Sequence, residues 1–184
     1  MKANISIEGR WSLTIYDMQG NIVEQCGWQK NQIQDGASTI LAQLCAGSLL
    51  GSSSPTNGFA YLALGEGDPS WDITPPDKDR TQTTLESEID RIVITQATDI
   101  AYLDPDTELP SVTPTRMCEI TVLVDYDRGI GDLREFGIVS GDATSVSNTG
   151  VLFNWVSHDV RQKTALSPVQ LLLKIRIKFK IFGE

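Results

Sequence analysis

The chain has 184 residues, 24 acidic and 15 basic side chains, a formal charge of -9 and 40% hydrophobic residues. A single domain of this size buries enough of its unfolded surface to hold a core without disulfides or metal. The excess of acid argues against a general polyanion binder, because nucleic-acid affinity is dominated by Lys and Arg meeting phosphate.

The charge is segregated along the chain. Residues 66–108 carry twelve acidic and three basic side chains, whereas residues 161–184 carry six basic and one acidic. Such segregation suggests an electrostatic pairing, either within the chain or between copies stacked head to tail. Cys26, Cys45 and Cys118 are odd in number and lack C-x-x-C spacing. They read as free buried thiols, not as a disulfide framework or a zinc site. No apolar run approaches the ~18 residues of a membrane span, and the N-terminus lacks a signal-peptide apolar region. A reducing cytoplasm and no membrane partner are the expectations.

From the N-terminus, residues 5–26 read as a β-hairpin. Trp11, Leu13 and Ile15 alternate with polar neighbours, Asp17 to Asn21 supply a turn, and Ile22 to Cys26 return. Asp35 is placed to cap a short helix near residues 36–46, with Ala37, Ile40, Leu41 and Leu44 at helical spacing. Residues 47–58 are a Gly/Ser-rich loop, and Phe59 to Leu64 a compact strand. A long irregular stretch, 65–83, contains Pro69, Pro75 and Pro76. Thr83 and Glu86, at capping-box spacing, predict a helical turn over 83–91 that pairs Glu88 with Arg91.

A strand at 92–95, an acidic proline-containing loop at 99–115, and strands at 117–126, 133–139 and 151–156 follow. The last strand, 170–182, is the clearest. Leu171, Leu173, Ile175, Ile177, Phe179 and Ile181 occupy one face, and Lys174, Arg176, Lys178 and Lys180 the other. At ~3.4 Å per residue it spans about 44 Å, so it crosses a whole sandwich or leaves it to pair with a neighbour. The expected fold is mainly β: one antiparallel, jelly-roll-like β-sandwich domain with one short helix and long loops.

Little catalytic chemistry is visible. His158 is the only histidine, no G-x-S-x-G elbow is present, and its neighbour Asp159 points the other way along a strand, so a surface or interface role is expected. Acidic groups at Asp77/Asp79, Asp104/Asp106/Glu108 and Asp125/Asp127 fit no EF-hand spacing and read as solvated loop charge. No enzyme activity, metal or cofactor is therefore expected. The interface residues expected from charge are Lys174, Arg176, Lys178 and Lys180, facing Asp77, Asp79, Asp104, Asp106 and Glu108 of a neighbouring copy. Trp28, Trp71 and Tyr102, near loops, leave a carbohydrate-binding module for host-surface glycans as the alternative.

The punctuation of the chain resembles a known family. Asn31-Gln32-Ile33-Gln34-Asp35-Gly36, followed by Ile40-Leu41-Ala42, is similar to the opening of many tailed-phage structural proteins. Leu62 to Gly67 resembles their "I-A-x-G-x-G" strand end, and Thr84 to Arg91 their "T-x-L-x-x-E-x-x-R" segment. Leu133 to Ile138 looks like their "I-x-E-x-G-L" strand, and Lys163-Thr164 precedes a last alternating strand. The resemblance implies a non-catalytic virion component of the tail, baseplate, collar or fibre-attachment region. Its implied partners are copies of itself and other virion proteins, with assembly in the host cytoplasm.

Overall fold

A computed structural model describes residues 3–46, 58–77, 79–140 and 143–183. The chain order is β1 (Ala3–Tyr16), β2 (Ile22–Lys30), β3 (Gln32–Ile33), α1 (Gly36–Ala46), β4 (Phe59–Gly65), β5 (Glu88–Val93), α2 (Gln96–Asp99), β6 (Ile100–Leu103), β7 (Pro110–Ser111), β8 (Met117–Val124), β9 (Gly131–Ser140), β10 (Val151–Lys163) and β11 (Gln170–Gly183). A 3-10 turn at Pro69–Asp72 interrupts the long connection after β4. The strands form two antiparallel sheets, in the orders β2-β1-β11-β8-β6-β7 and β3-β10-β9-β4-β5. The chain changes sheet between β2 and β3, β5 and β6, β8 and β9, and β10 and β11. The fold is a β-sandwich, as the turn-punctuated strands predict.

Period-two patterning builds the core. On the six-stranded sheet, Trp11, Leu13 and Ile15 of β1 lie beside Leu171, Leu173, Ile175 and Ile177 of β11 and Ile120, Val122 and Val124 of β8, all buried. The facing sheet contributes Leu62, Leu64, Phe136, Ile138 and Phe153. Removing this many apolar side chains from water is the main favourable term in folding. Helix α1 closes one end with buried Ala37 and Ile40. The hairpin turn between β1 and β2 is fixed by Asp17, whose carboxylate accepts the N–H groups of Gln19 and Asn21, while Tyr126 donates its hydroxyl to the Asp17 carbonyl at 2.9 Å.

The segment 66–87 is irregular but not loose. It covers the outer face of the five-stranded sheet, where Ala63, Leu85, Val139, Leu152 and Trp155 form a second buried cluster against Tyr61 and Trp71. Buried polar groups anchor it. Glu135, fully buried, accepts the Ser87 N–H at 2.9 Å and the Trp155 Nε1–H at 2.7 Å. Arg134 grips Asp72 through two bonds of 2.8 Å. Gln34, with its amide oriented to fit its neighbours, donates to the carbonyls of Arg80 and Asp79.

Two local expectations are corrected. Residues 83–91 form no helix: Glu88–Val93 is the edge strand β5, paired with β4. The exposed side of β4 needs backbone partners, and that pairing overrides a local capping signal. Glu88 and Arg91 still form an ion pair, and Arg91 also donates to the carbonyls of Thr144 and Thr149, at 2.9 and 3.0 Å, tying down the loop before β10. The acidic connection 99–115 is also more ordered than a loop, containing β6 and β7. Most of the 47–58 loop, and the side chains of Leu44 and Cys45, lie outside the described residues.

Candidate functional site

The basic residues of β11 stand on the outer face of the six-stranded sheet, where alternation puts them. Their carboxylate partners belong to the same chain. Lys174 and Arg176 reach Glu119 on β8, at 3.3 and 2.6 Å. Arg176 also pairs with Glu108, which Arg10 of β1 holds from its other side. Lys178 donates to the Pro105 carbonyl, and Lys180 meets Glu8 of β1 at 2.6 Å. Beneath this row the Trp28 ring carries the Arg176 guanidinium 4.1 Å from its centroid, a cation–π contact.

The β6–β7 loop is folded over this face to deliver Glu108. Asp104 accepts the N–H groups of Asp106 and Thr107, at 3.0 and 2.8 Å, and closes the turn. Glu108 itself adopts φ of 60°, uncommon for a residue with a side chain, and so aims its carboxylate back at Arg10 and Arg176. Arg10, and behind it Arg176, hold the Glu108 carboxyl below the usual carboxylate range, and Lys180 does the same for Glu8. Asp106 lies 3.7 Å from Arg116.

The nine charge-selected residues therefore separate into two places. Lys174, Arg176, Lys178, Lys180 and Glu108 are brought together, with Asp104 and Asp106 shaping the loop that carries Glu108. Asp77 and Asp79 lie on the other sheet, lining an open cleft of about 490 Å³ with Trp71 and Trp155. Asp79 is engaged by Thr81 through its N–H and hydroxyl, at 2.8 and 2.7 Å. Sequence reasoning passed over Glu8, Arg10 and Glu119. Glu8 and Arg10 continue the outward parity of Ser12, and Glu119 that of Thr121; that alternation was the available signal.

The three aromatic candidates do not make one platform. Trp28 is covered by Arg176, Tyr102 is half-exposed on β6, and Trp71 packs edge-on against Trp155 on the opposite sheet, centroids 5.9 Å apart.

His158 is half-buried between Trp11 and Phe136, at 6.1 and 5.7 Å between ring centroids, and its Nδ1 bonds the Asp159 carbonyl at 2.7 Å. Burial pushes its pKa down to about 4, so the ring is neutral near pH 7. The Cys118 thiol is buried and pushed up to about 11. Lys163, buried and donating to the Val124 and Asp125 carbonyls, is lowered to about 8 by desolvation. Among the described residues, no three His, Cys, Asp or Glu side chains converge as metal ligands, and no helix is long and apolar enough to cross a membrane.

No protein family, curated protein or solved structure matches the chain.

Proposed function

We propose that this chain is a non-catalytic structural component of a tailed-phage particle, assembling with copies of itself and docking neighbouring virion proteins in the tail, baseplate, collar or fibre-attachment region. The observation that carries self-assembly is the pairing of β1 with β11 along fourteen residues each, well past the ends of the strands beside them. Unpaired strand ends are templates for further strands. The order of sequence punctuation over residues 31–182 supports the virion assignment.

The charge pairs within the chain change what holds copies together. Because β11 cations already meet Glu8, Glu108 and Glu119, backbone edges replace acidic loops as the principal contact. Light scattering on the purified chain, with and without added salt, tests the reading. An assembly larger than a dimer that persists as salt rises is expected. A strict monomer at every concentration that also fails to bind other virion proteins overturns it.

A second reading, glycan binding, rests on the open cleft beside Trp71, whose ring and surrounding carboxylates and hydroxyls suit sugar stacking and hydrogen bonding. Retention on a glycan array that is lost in Trp71→Ala supports it; silence on the array removes it.

A further inference from the structure

The two long strands overrun their neighbours at the same end of the six-stranded sheet. β1 pairs with β11 from Ala3 onward, but β2 joins β1 only from Arg10. On the other side, β8 pairs with β11 as far as Lys178, after which one further bond runs from the Phe179 N–H to the Arg116 carbonyl at 2.9 Å. Beyond these points stands a two-stranded ribbon, residues 3–7 against 179–183, with a free edge on each side among the described residues. At ~3.4 Å per residue each edge offers roughly 17 Å of backbone.

Ladder parity identifies the groups on those edges. The Gly9 carbonyl accepts the Asn31 N–H at 3.1 Å, on the side away from β11. Successive residues alternate, so Ala3, Ile5 and Ile7 turn their N–H and C=O the same way. The Phe179 N–H faces Arg116, so Ile181 and Gly183 present theirs on the opposite edge. The register between the two strands is continuous, with neither a bulge nor a proline to blunt either edge. An isolated two-stranded ribbon is marginal in water, and the β1 edge opens onto a groove of about 820 Å³ between Ser6–Arg10, residues 30–38 and Arg80.

We propose that successive copies of this chain pair ribbon to ribbon, the Ile181 and Gly183 edge of β11 in one copy adding antiparallel to the Ala3, Ile5 and Ile7 edge of β1 in the next. This inference rests on the self-assembly reading above and assigns its contact and polarity. Direction favours the mixed pairing. Copies rotated about an axis along the ribbon keep their β1 strands parallel, and β11 runs opposite to β1, so each junction is antiparallel.

Charge favours it as well. On the outward face β11 carries Lys178 and Lys180, and β1 carries Ser6 and Glu8. Pairing β11 with β11 gathers the lysines of both copies on one face with no carboxylate among the described side chains of either ribbon strand to meet them, and pairing β1 with β1 offers Glu8 no lysine there. The mixed junction sets lysines beside Glu8, whose Oε1 serves its own Lys180 and whose Oε2 has no partner among the described residues. Such a contact is heterologous, leaving one open edge at each end until a ring closes.

Sedimentation of the full chain tests this with Ile181→Pro and Ile5→Pro, alone and mixed. Each proline removes an outward N–H and leaves the bonds between β1 and β11 intact. Wild-type protein should form an assembly larger than a dimer, each variant should be monomeric, and the mixture should give a one-to-one heterodimer, because each supplies the edge that the other lacks. Should a proline variant fail to fold by circular dichroism, Glu8→Lys and Lys180→Glu replace the pair: each alone weakens assembly, and mixing restores it. Either single variant that assembles like wild type places the contact elsewhere and overturns the inference while leaving self-assembly standing. Ile181→Pro dimerising by itself indicates a β1–β1 contact and also overturns it. A wild-type monomer removes the self-assembly reading itself.

Discussion

His158 lies between two aromatic rings, near the Arg161 guanidinium, and its folded pKa of about 4 is set below the ordinary 6.5 mainly by desolvation. Between those values the unfolded chain binds a proton that the folded chain refuses, so stability is fully present above about pH 6.5 and falls as pH drops toward 4. One pKa unit corresponds to about 1.4 kcal/mol, and the edge of the ring is partly open to solvent, so the total loss is about 2–3 kcal/mol. The paired carboxylates Glu8, Glu108 and Asp72, whose folded values are lowered, add their own loss only below their ordinary 4.5, 4.5 and 3.8. The interval from neutrality to about pH 5 therefore isolates the imidazole, with a loss of about 1–2 kcal/mol. Urea unfolding followed by tryptophan emission measures it, with His158→Phe as the comparison. Phenylalanine fits between the same rings and takes no proton, so its stability should be flat across that interval. Parallel pH profiles for the two proteins would refute the burial argument.

Three further outcomes are expected. Glu135→Gln should lower stability by about 2–3 kcal/mol in urea titration, because an amide oxygen replaces two acceptors and leaves the Ser87 or Trp155 N–H facing an NH₂ group; an unchanged midpoint would mean that the 66–87 segment is anchored elsewhere. Gly67→Ala should cost about 1–3 kcal/mol, since Gly67 has φ of 58° and an added Cβ would lie 2.3 Å from the Trp71 ring. Its tryptophan emission should shift red, and an unshifted spectrum would contradict that contact. Arg176→Met should lower stability by about 1–3 kcal/mol, because its largely buried guanidinium serves both Glu108 and Glu119 and stacks on Trp28. It should also speed proteolysis within residues 104–109, and resistance there equal to wild type would show that Arg176 does not hold the loop.

How much of this was legible follows from where each pattern faces. The alternation of 170–182 is visible because one face of β11 meets the core and the other a charged surface, and the sandwich follows from several such runs. In β1 the same parity extends back from Trp11, yet Gly9 breaks it. That glycine serves a distant contact: an added Cβ would lie 1.7 Å from the Asn31 carboxamide oxygen. β10 shows no clean period at Leu152 to Val156 because both faces are buried, one in the main core and the other under the 66–87 segment. That cover depends on Trp71 meeting Trp155 across a long sequence separation, which no local pattern carries.

Charge was legible as segregation but not as geometry. The acidic stretch 66–108 is divided between the two sheets, and only its end, Asp104 to Glu108, reaches β11. Once Lys174, Arg176 and Lys180 are paired within the chain and Lys178 is bound to a carbonyl, a second copy has few strong charges to gain. Amides are different: the outward N–H and C=O groups of Ala3, Ile5, Ile7, Ile181 and Gly183 on the ribbon edges are met by no described residue, and an added strand would satisfy them at full strength. Of the two alternatives that the length of β11 raised, crossing the sandwich accounts for most of the strand. Residues 171–178 cross the sandwich beside β8, and residues 179–183 run on with β1 as a ribbon whose free edges are the ones that the proposed pairing would fill. Charge then has the smaller task of selecting which edge meets which, so added salt should loosen the choice of partner edge more than the assembly itself.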